Sequence, residues 1–220
     1  MHKAAKLIRT KLSSVGRPQI VWASLLAAMT GVGGLLLALE DRPMSGGVVL
    51  AGVERQAPAH SLSAILNTTT PIAPDRWRGI VIHHSGSQSG SATSIADQHL
   101  SRGFKGLGYH FVISNGQGAP DGQIHVGYRW MEQAPGVHAT GPDADRLNRE
   151  TIGICLIGDG DRRAFTPAQL ASLASLVAML QSATHVDSGG VYLSRDVSPT
   201  SAPGRLFPES AFRQQLAASH

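Results

Sequence analysis

Two of the ten histidines in this 220-residue chain stand side by side. They close the β-branched run IVIHHS at residues 80–85. Imidazole is the side chain best suited to bind a metal or carry a proton near neutral pH. Side chains alternate along a strand, so Ile80, Ile82 and His84 take one face and Val81 and His83 the other. A histidine at a strand end aimed into a cleft suits a metal ligand, and equally a hydrogen-bonded structural ring. Further groups able to do chemistry follow: Tyr109 and His110 in GYHF, then His125, Arg129 and Trp130 in QIHVGYRW. His138 lies in PGVHATG, and Ser194, Arg195, Asp196, Thr200 and Ala202 lie in SRDVSPTSAPG. The single cysteine, Cys155, excludes an internal disulfide framework and reads as a packed thiol inside the apolar run TIGICLIG.

These residues need elements to hold them. RGIVIHHS, LGYHFVIS, QIHVGYRW and TIGICLIGD read as strands, the third leading into a loop, and VDSGGVYL leads to a last strand. SATSIADQHLSRGF and FPESAFRQQLAA read as helices. The strongest helix is FTPAQLASLASLVAMLQSAT, with Thr166 as cap, Pro167 in the first turn, and Leu170, Leu173, Leu176, Val177 and Leu180 on one side. Strands alternating with helices predict an α/β fold, a single three-layer domain with a central mixed β-sheet flanked by helices. NGQGAPDG is turn chemistry.

The charge is unevenly placed. Lys3, Lys6, Arg9, Lys11 and Arg17 precede residue 20 with no acid among them; setting these five aside, the net +4 of the whole chain becomes −1. The basic balance therefore belongs to the N-terminus and gives the domain no case for nucleic-acid binding. Residues 20–39, IVWASLLAAMTGVGGLLLAL, carry no charged side chain, and as a helix would rise roughly 30 Å, enough to cross a bilayer core. Cationic residues before it and EDR after it keep the N-terminus cytoplasmic and export the rest. This reads as an uncleaved signal anchor at a cytoplasmic or inner membrane. A cleaved signal peptide and a buried helix are the alternatives, although the apolar run is long for a signal and lacks a clean cleavage site. Residues 1–19 are then a basic tail, 40–75 a flexible Gly/Pro/Ser/Thr-rich spacer, and 76–220 the domain.

Six stretches in fixed order, IVIHHS, GLGYHFVIS, DGQIHVGYRW, PGVHATG, TIGICLIGD and SRDVSPTSAPG, resemble the zinc-dependent N-acetylmuramoyl-L-alanine amidases of the phage-lysozyme type and the related peptidoglycan recognition proteins. The resemblance covers about residues 76–215. It implies a surface groove for the glycan and stem peptide of peptidoglycan, and, in active members, cleavage of the amide between the lactyl group of N-acetylmuramic acid and L-alanine. It also implies three zinc ligands: the first histidine of an HH pair, a histidine opening an HRD-like segment, and a Cys or Asp eight residues later.

Carried over by position, the first ligand is His83. Ser194 stands at the second ligand position and Ala202 at the third. Tyr109 and Thr200 match the positions that assist the oxyanion. A methyl group cannot coordinate a metal, and a neutral hydroxyl is a poor zinc ligand beside imidazole, thiolate or carboxylate. No cofactor is therefore expected. His83, His84, Tyr109, Arg129, His138, Ser194 and Thr200 remain groove candidates for peptidoglycan or muropeptides. Trp130 suits either a packed ring or a ligand contact, Arg129 either the groove or a pair with Glu132, and Arg195 with Asp196 a structural pair. His138 is expected in the groove. Rival readings are an active zinc amidase with substituted ligands, in which His125, His138 or His185 would serve, and a protein-interaction module reusing the groove.

Overall fold

The computed structural model describes residues 62–218. The expected basic tail, the span at 20–39 and most of the spacer lie outside the described residues. No described helix is long and apolar enough to cross a membrane.

Five strands form one mixed sheet in the order β3-β2-β4-β1-β5. They are β1 (Gly79–His84), β2 (Phe111–Ile113), β3 (Ile124–Val126), β4 (Thr151–Leu156) and β5 (Val191–Leu193). β4 is parallel to both β1 and β2, β5 is parallel to β1, and only β3 is antiparallel. A strand with parallel neighbours on both sides is covered on both faces and so reads as an unbroken apolar run. TIGICL is that strand, buried at every position. The edge strand β3 is half-open, and His125 on it faces solvent.

The helices are α1 (Ala92–Ser101), α2 (Tyr128–Met131), α3 (Ala144–Glu150), α4 (Pro167–Thr184), α5 (Ser194–Val197) and α6 (Glu209–Ala218). One face of the sheet, with Ile80, Ile82, Phe111, Ile113, Ile152 and Ile154, packs on Leu173, Leu176, Val177 and Leu180 of α4 and on Phe212 and Leu216 of α6. The opposite face carries Val112 and Cys155 against Ala92 and Ile95 of α1. The expected mixed sheet flanked by helices is therefore present.

Local chemistry sets the helix ends. Thr166 accepts from the Gln169 amide at 3.0 Å while Gln169 Oε1 accepts from the Thr166 amide at 3.2 Å, a reciprocal cap reinforced by Pro167 in the first turn. The buried Gln169 Nε2 then donates to the carbonyls of Ile113 and Ile157, tying α4 to the ends of β2 and β4. In α1, Ser91 and Ser94 cap each other in the same way.

Three expectations need correction. The strand expected through QIHVGYRW ends at Val126, because Tyr128–Met131 turns into a short helix that sinks Trp130 into the core. The helix α3, in DADRLNRE, was not foreseen: its polar sequence gives no apolar stripe beyond Leu147. Residues 62–75, expected as spacer, pack on the domain. Ile65 is buried and its carbonyl accepts from Trp130 Nε1 at 2.7 Å, while the amides of Thr69 and Thr70 donate to the Met131 carbonyl.

Candidate functional site

His83 is the penultimate residue of β1, on the sheet face opposite the α4 core, and is 4% exposed. β5 pairs beside β1 with Ile82 opposite Leu193. The next residue after each is His83 and Ser194, so the register brings Ser194, where the chain turns into α5, alongside β1 near His83. The Arg195 amide donates to the Ala202 carbonyl at 2.8 Å, which folds Ala202 back onto the same point. Ser194 and Ala202 are both buried. The register of β5 and the Arg195–Ala202 bond thus carry the backbones of Ser194 and Ala202 toward the His83 end of β1; the side chains at these three positions are an imidazole, a hydroxyl and a methyl.

The histidine ring is held from the other side. His83 Nε2 lies 3.1 Å from His138 Nδ1, and His138 Nε2 lies 3.2 Å from the Thr151 carbonyl. His138 is buried, as the groove expectation needs only in part: it touches His83 and stacks near Tyr109 at 6.4 Å, but its own polar atoms face inward. Burial pushes the His138 imidazole down to about 4, despite the opposing pull of the Thr151 carbonyl. Burial, then the neighbouring rings of His138 and His84, hold His83 well below its usual value. Both rings are neutral at pH 7.

Two glycines make the space for His138. A side chain at Gly153 on β4 would stand 2.5 Å from the His138 ring, and one at Gly136 would stand 2.3 Å from it. Asn148 on α3 fixes the loop, its Oδ1 accepting from the amides of His138 at 2.7 Å and Ala139 at 2.8 Å. Neither Asn148 nor these glycines was singled out from sequence. The PG and IGI neighbourhoods were visible, but nothing in them said which ring they would embrace.

Tyr109 packs its ring 5.2 Å from that of His83. Burial first, and then the adjacent Cys155 thiol, raise its phenol well above the usual range. Cys155 is fully buried and its thiol is pushed up to about 12, so it is an inert packed group. Thr200 is exposed, and its Oγ1 accepts from the Ala202 amide at 3.2 Å.

Other expected groove residues have different work. Arg129 is 9% exposed; its Nε donates to the Leu107 carbonyl at 2.8 Å and its Nη1 to the Pro135 carbonyl. It ties two loops together and makes no pair with Glu132 among the described residues. Trp130 is a packed core ring. Arg195 pairs with Glu209 rather than with Asp196, and Asp196 accepts from the Leu193 amide and pairs with Arg213. His84 Nδ1 accepts from the Gly160 amide at 3.0 Å. The proton of that ring is therefore on Nε2, and neither nitrogen offers an open lone pair.

The His84 ring lies with Asp159 and Asp161, the one group of three possible ligands within 4.8 Å of one another among the described residues. Besides that ring tautomer, Asp161 accepts from Ser201 Oγ at 2.6 Å and the Arg205 amide at 2.9 Å. It is a closed network pinning the 194–206 loop, and it does not include His83. His125 cannot join His83 either: the row His83, Cys155, Val112, His125 crosses three strand spacings, about 14 Å. His185 is exposed at the C-terminus of α4.

Beside Tyr109 a recess of about 480 Å3, counted with its open mouth, runs between the Ser85–Ser89 loop and α1. Ser94, Gln98, His99 and Arg102 line it with Tyr109. His99 Nδ1 accepts from the Gly108 amide at 2.9 Å, which anchors the wall. This wall was missed from sequence: Gln98, His99 and Arg102 looked like ordinary positions of an amphipathic helix.

Comparison with known proteins places this geometry. Residues 73–205 match the family N-acetylmuramoyl-L-alanine amidase. The endolysin of Enterobacteria phage T3 is 33% identical over 122 residues, 53% of this chain and 72% of the phage protein. Peptidoglycan-recognition protein SC2 of Drosophila melanogaster is 29% identical over 134 residues, 56% of this chain and 66% of the fly protein. The solved endolysin amidase LysCS of Clostridium intestinale superposes with a TM-score of 0.56 at 30% identity, covering 68% of this chain and 90% of its own. Bumblebee PGRP-SA shares the fold, with a TM-score of 0.50 at 22% identity, covering 63% of this chain and 81% of its own. The chain belongs to the N-acetylmuramoyl-L-alanine amidase family, and its central sheet flanked by helices is that of an amidase-type domain.

Proposed function

We propose that the domain binds peptidoglycan fragments in its groove without cleaving them, and that it does so outside the cytoplasm, tethered by the apolar segment 20–39. The observation that carries this reading is the pair Ser194 and Ala202 beside His83. A catalytic zinc site normally has three protein ligands and one open position. Here one imidazole stands with a hydroxyl and a methyl, a donor set that does not fit zinc. Tyr109 and Thr200 then have no metal-bound oxyanion to assist.

Binding needs none of that. The recess offers serine hydroxyls, the Gln98 amide and the Arg102 guanidinium beside the Tyr109 ring, a surface suited to a peptide bearing carboxylates and to a sugar face. The relatives include both endolysins and peptidoglycan-recognition proteins, which fits a groove read for recognition.

The test uses the full chain. Calorimetric titration with a muramyl tripeptide is expected to show saturable binding. Incubation with purified peptidoglycan is expected to release no stem peptide, and metal analysis after dialysis against zinc is expected to find none. Chelator-sensitive release of stem peptide overturns the non-catalytic reading in favour of an active amidase. Absence of any muropeptide binding overturns the recognition reading in favour of a protein partner.

A further inference from the structure

The chain of contacts from Thr151 through His138 to His83 has only one consistent arrangement of protons. A backbone carbonyl accepts and never donates, so the proton in the His138–Thr151 contact sits on His138 Nε2. A neutral imidazole carries one N–H, which leaves His138 Nδ1 as an acceptor. The contact between His138 Nδ1 and His83 Nε2 then requires the proton on His83 Nε2. His83 Nδ1 is left with a lone pair, and no described residue donates to it. Tyr109 meets His83 through its ring, 5.2 Å between centroids, and makes no hydrogen bond to it.

The arrangement is built. Gly153 and Gly136 clear the volume of the His138 ring, and Asn148 clamps the backbone on both sides of its amide. Ring orientation fixed by a partner on the far nitrogen is the usual way a protein decides which imidazole atom faces a ligand.

We propose that His138 is a positioning residue that locks His83 in its Nε2–H form, so that His83 meets the groove's occupant through Nδ1 as a hydrogen-bond acceptor. The occupant must then bring an N–H or O–H to that atom. The identity of the occupant as a muropeptide rests on the function proposed above; the proton arrangement does not. On the muropeptide the group in question is a backbone amide N–H or a sugar hydroxyl.

The experiment is long-range proton–nitrogen correlation on the full chain labelled with 15N-histidine, with His83 assigned by loss of its signals in His83→Gln. In the free protein, His83 and His138 are both expected to show a protonated Nε2 and an unprotonated Nδ1. Adding muramyl tripeptide is expected to shift the His83 Nδ1 resonance in the direction of an accepted hydrogen bond. His138→Phe, which keeps a ring but removes the acceptor, is expected to give His83 a mixture of tautomers and to weaken muramyl tripeptide binding about 2- to 10-fold, the range of one hydrogen bond. His138→Asn, whose amide reaches the Nδ1 position, is expected to restore both.

A proton on His83 Nδ1 in the free protein overturns the proposal, and that reading needs no variant to fold. Retention of a single Nε2–H form in folded His138→Phe overturns the role of His138. The expected tautomers without any muramyl tripeptide binding overturn the acceptor role together with the recognition reading, and leave the proton arrangement established.

Discussion

The two halves of the candidate site are built in different ways. On the β1–β4 side, His83 keeps its place and a full supporting shell: His138, the Thr151 carbonyl, two glycines and Asn148. On the β5 side the backbone is just as well held. Ser201 and Arg205 bind Asp161, Leu206 binds the Gly160 carbonyl, and Arg195 binds the Ala202 carbonyl. Yet Ser194 and Ala202 offer only a hydroxyl and a methyl there, and in the function proposed above that donor set holds no zinc. The scaffold of a site and its chemistry are thus separable, because hydrogen bonds to backbone hold a loop whatever Ser194 and Ala202 present.

The sharpest way to break this contrast is to restore the missing donors. Ser194→His with Ala202→Cys is expected to bring the chain from no retained zinc to about one per molecule, a gain of several orders of magnitude in affinity, read by metal analysis after dialysis. Failure of a folded double variant to take up zinc would show that the β5 side has lost more than its ligands, since orienting partners matter nearly as much as ligands do.

Acid is expected to separate the halves next. His138 has its folded value lowered to about 4 from 6.5, so the unfolded chain binds more protons than the folded one in between. Stability contributed by keeping this ring neutral is complete above about 6.5 and is lost as pH falls toward 4, on the order of 3 kcal/mol. His83 and His110, also lowered by burial, act in the same direction. Asp161 behaves oppositely in window: its value is lowered by the Ser201 bond first and the Arg205 amide next. Its contribution is complete above about 4, the unfolded carboxyl value, and fades only below that. Denaturant midpoints measured from pH 7 down to 4 should fall steadily, while exchange protection of the Arg205 amide should hold until the folded state itself is lost. Loss of that protection while the protein is still folded at pH 5 would contradict this order.

Gly153→Ala tests the histidine half alone. The new methyl meets the His138 ring at 2.5 Å, and overpacking of this kind costs about 1–3 kcal/mol. Thermal melts should register the loss, and the His83 spectrum should change with it; an unaltered His83 spectrum would show that the ring has room that the structure does not give it. Ser201→Ala tests the loop half and has the smallest expected effect. It removes one exposed bond to Asp161, so the melting temperature should barely move while exchange at the Arg205 amide quickens.

Much of the fold was legible, and for identifiable reasons. TIGICL is apolar at both parities because both of its faces are covered. The α4 stripe and its Thr166 cap follow the helical period and a reciprocal cap that sequence displays. Other features escaped because their signals are tertiary. α3 is a polar segment fixed through Leu147 and Asn148, and Arg129 looks like a groove cation until its donors are found on the Leu107 and Pro135 carbonyls. His84 sits beside His83 in sequence yet is occupied with the Gly160 amide.

The sequence by itself determined the order of the motifs, the place of His83 near the end of a buried strand, and the presence of Ser194 and Ala202 at the positions that the family resemblance matches to ligands, because these are matters of residue type and spacing. Only the tertiary structure decided that the loop after β5 returns to the end of β1, that the His138 ring is spent on His83 and the Thr151 carbonyl, and that Arg129 and His84 bind backbone. Those outcomes depend on where backbone carbonyls and amides come to rest after the sheet closes, and a one-dimensional pattern carries no record of them.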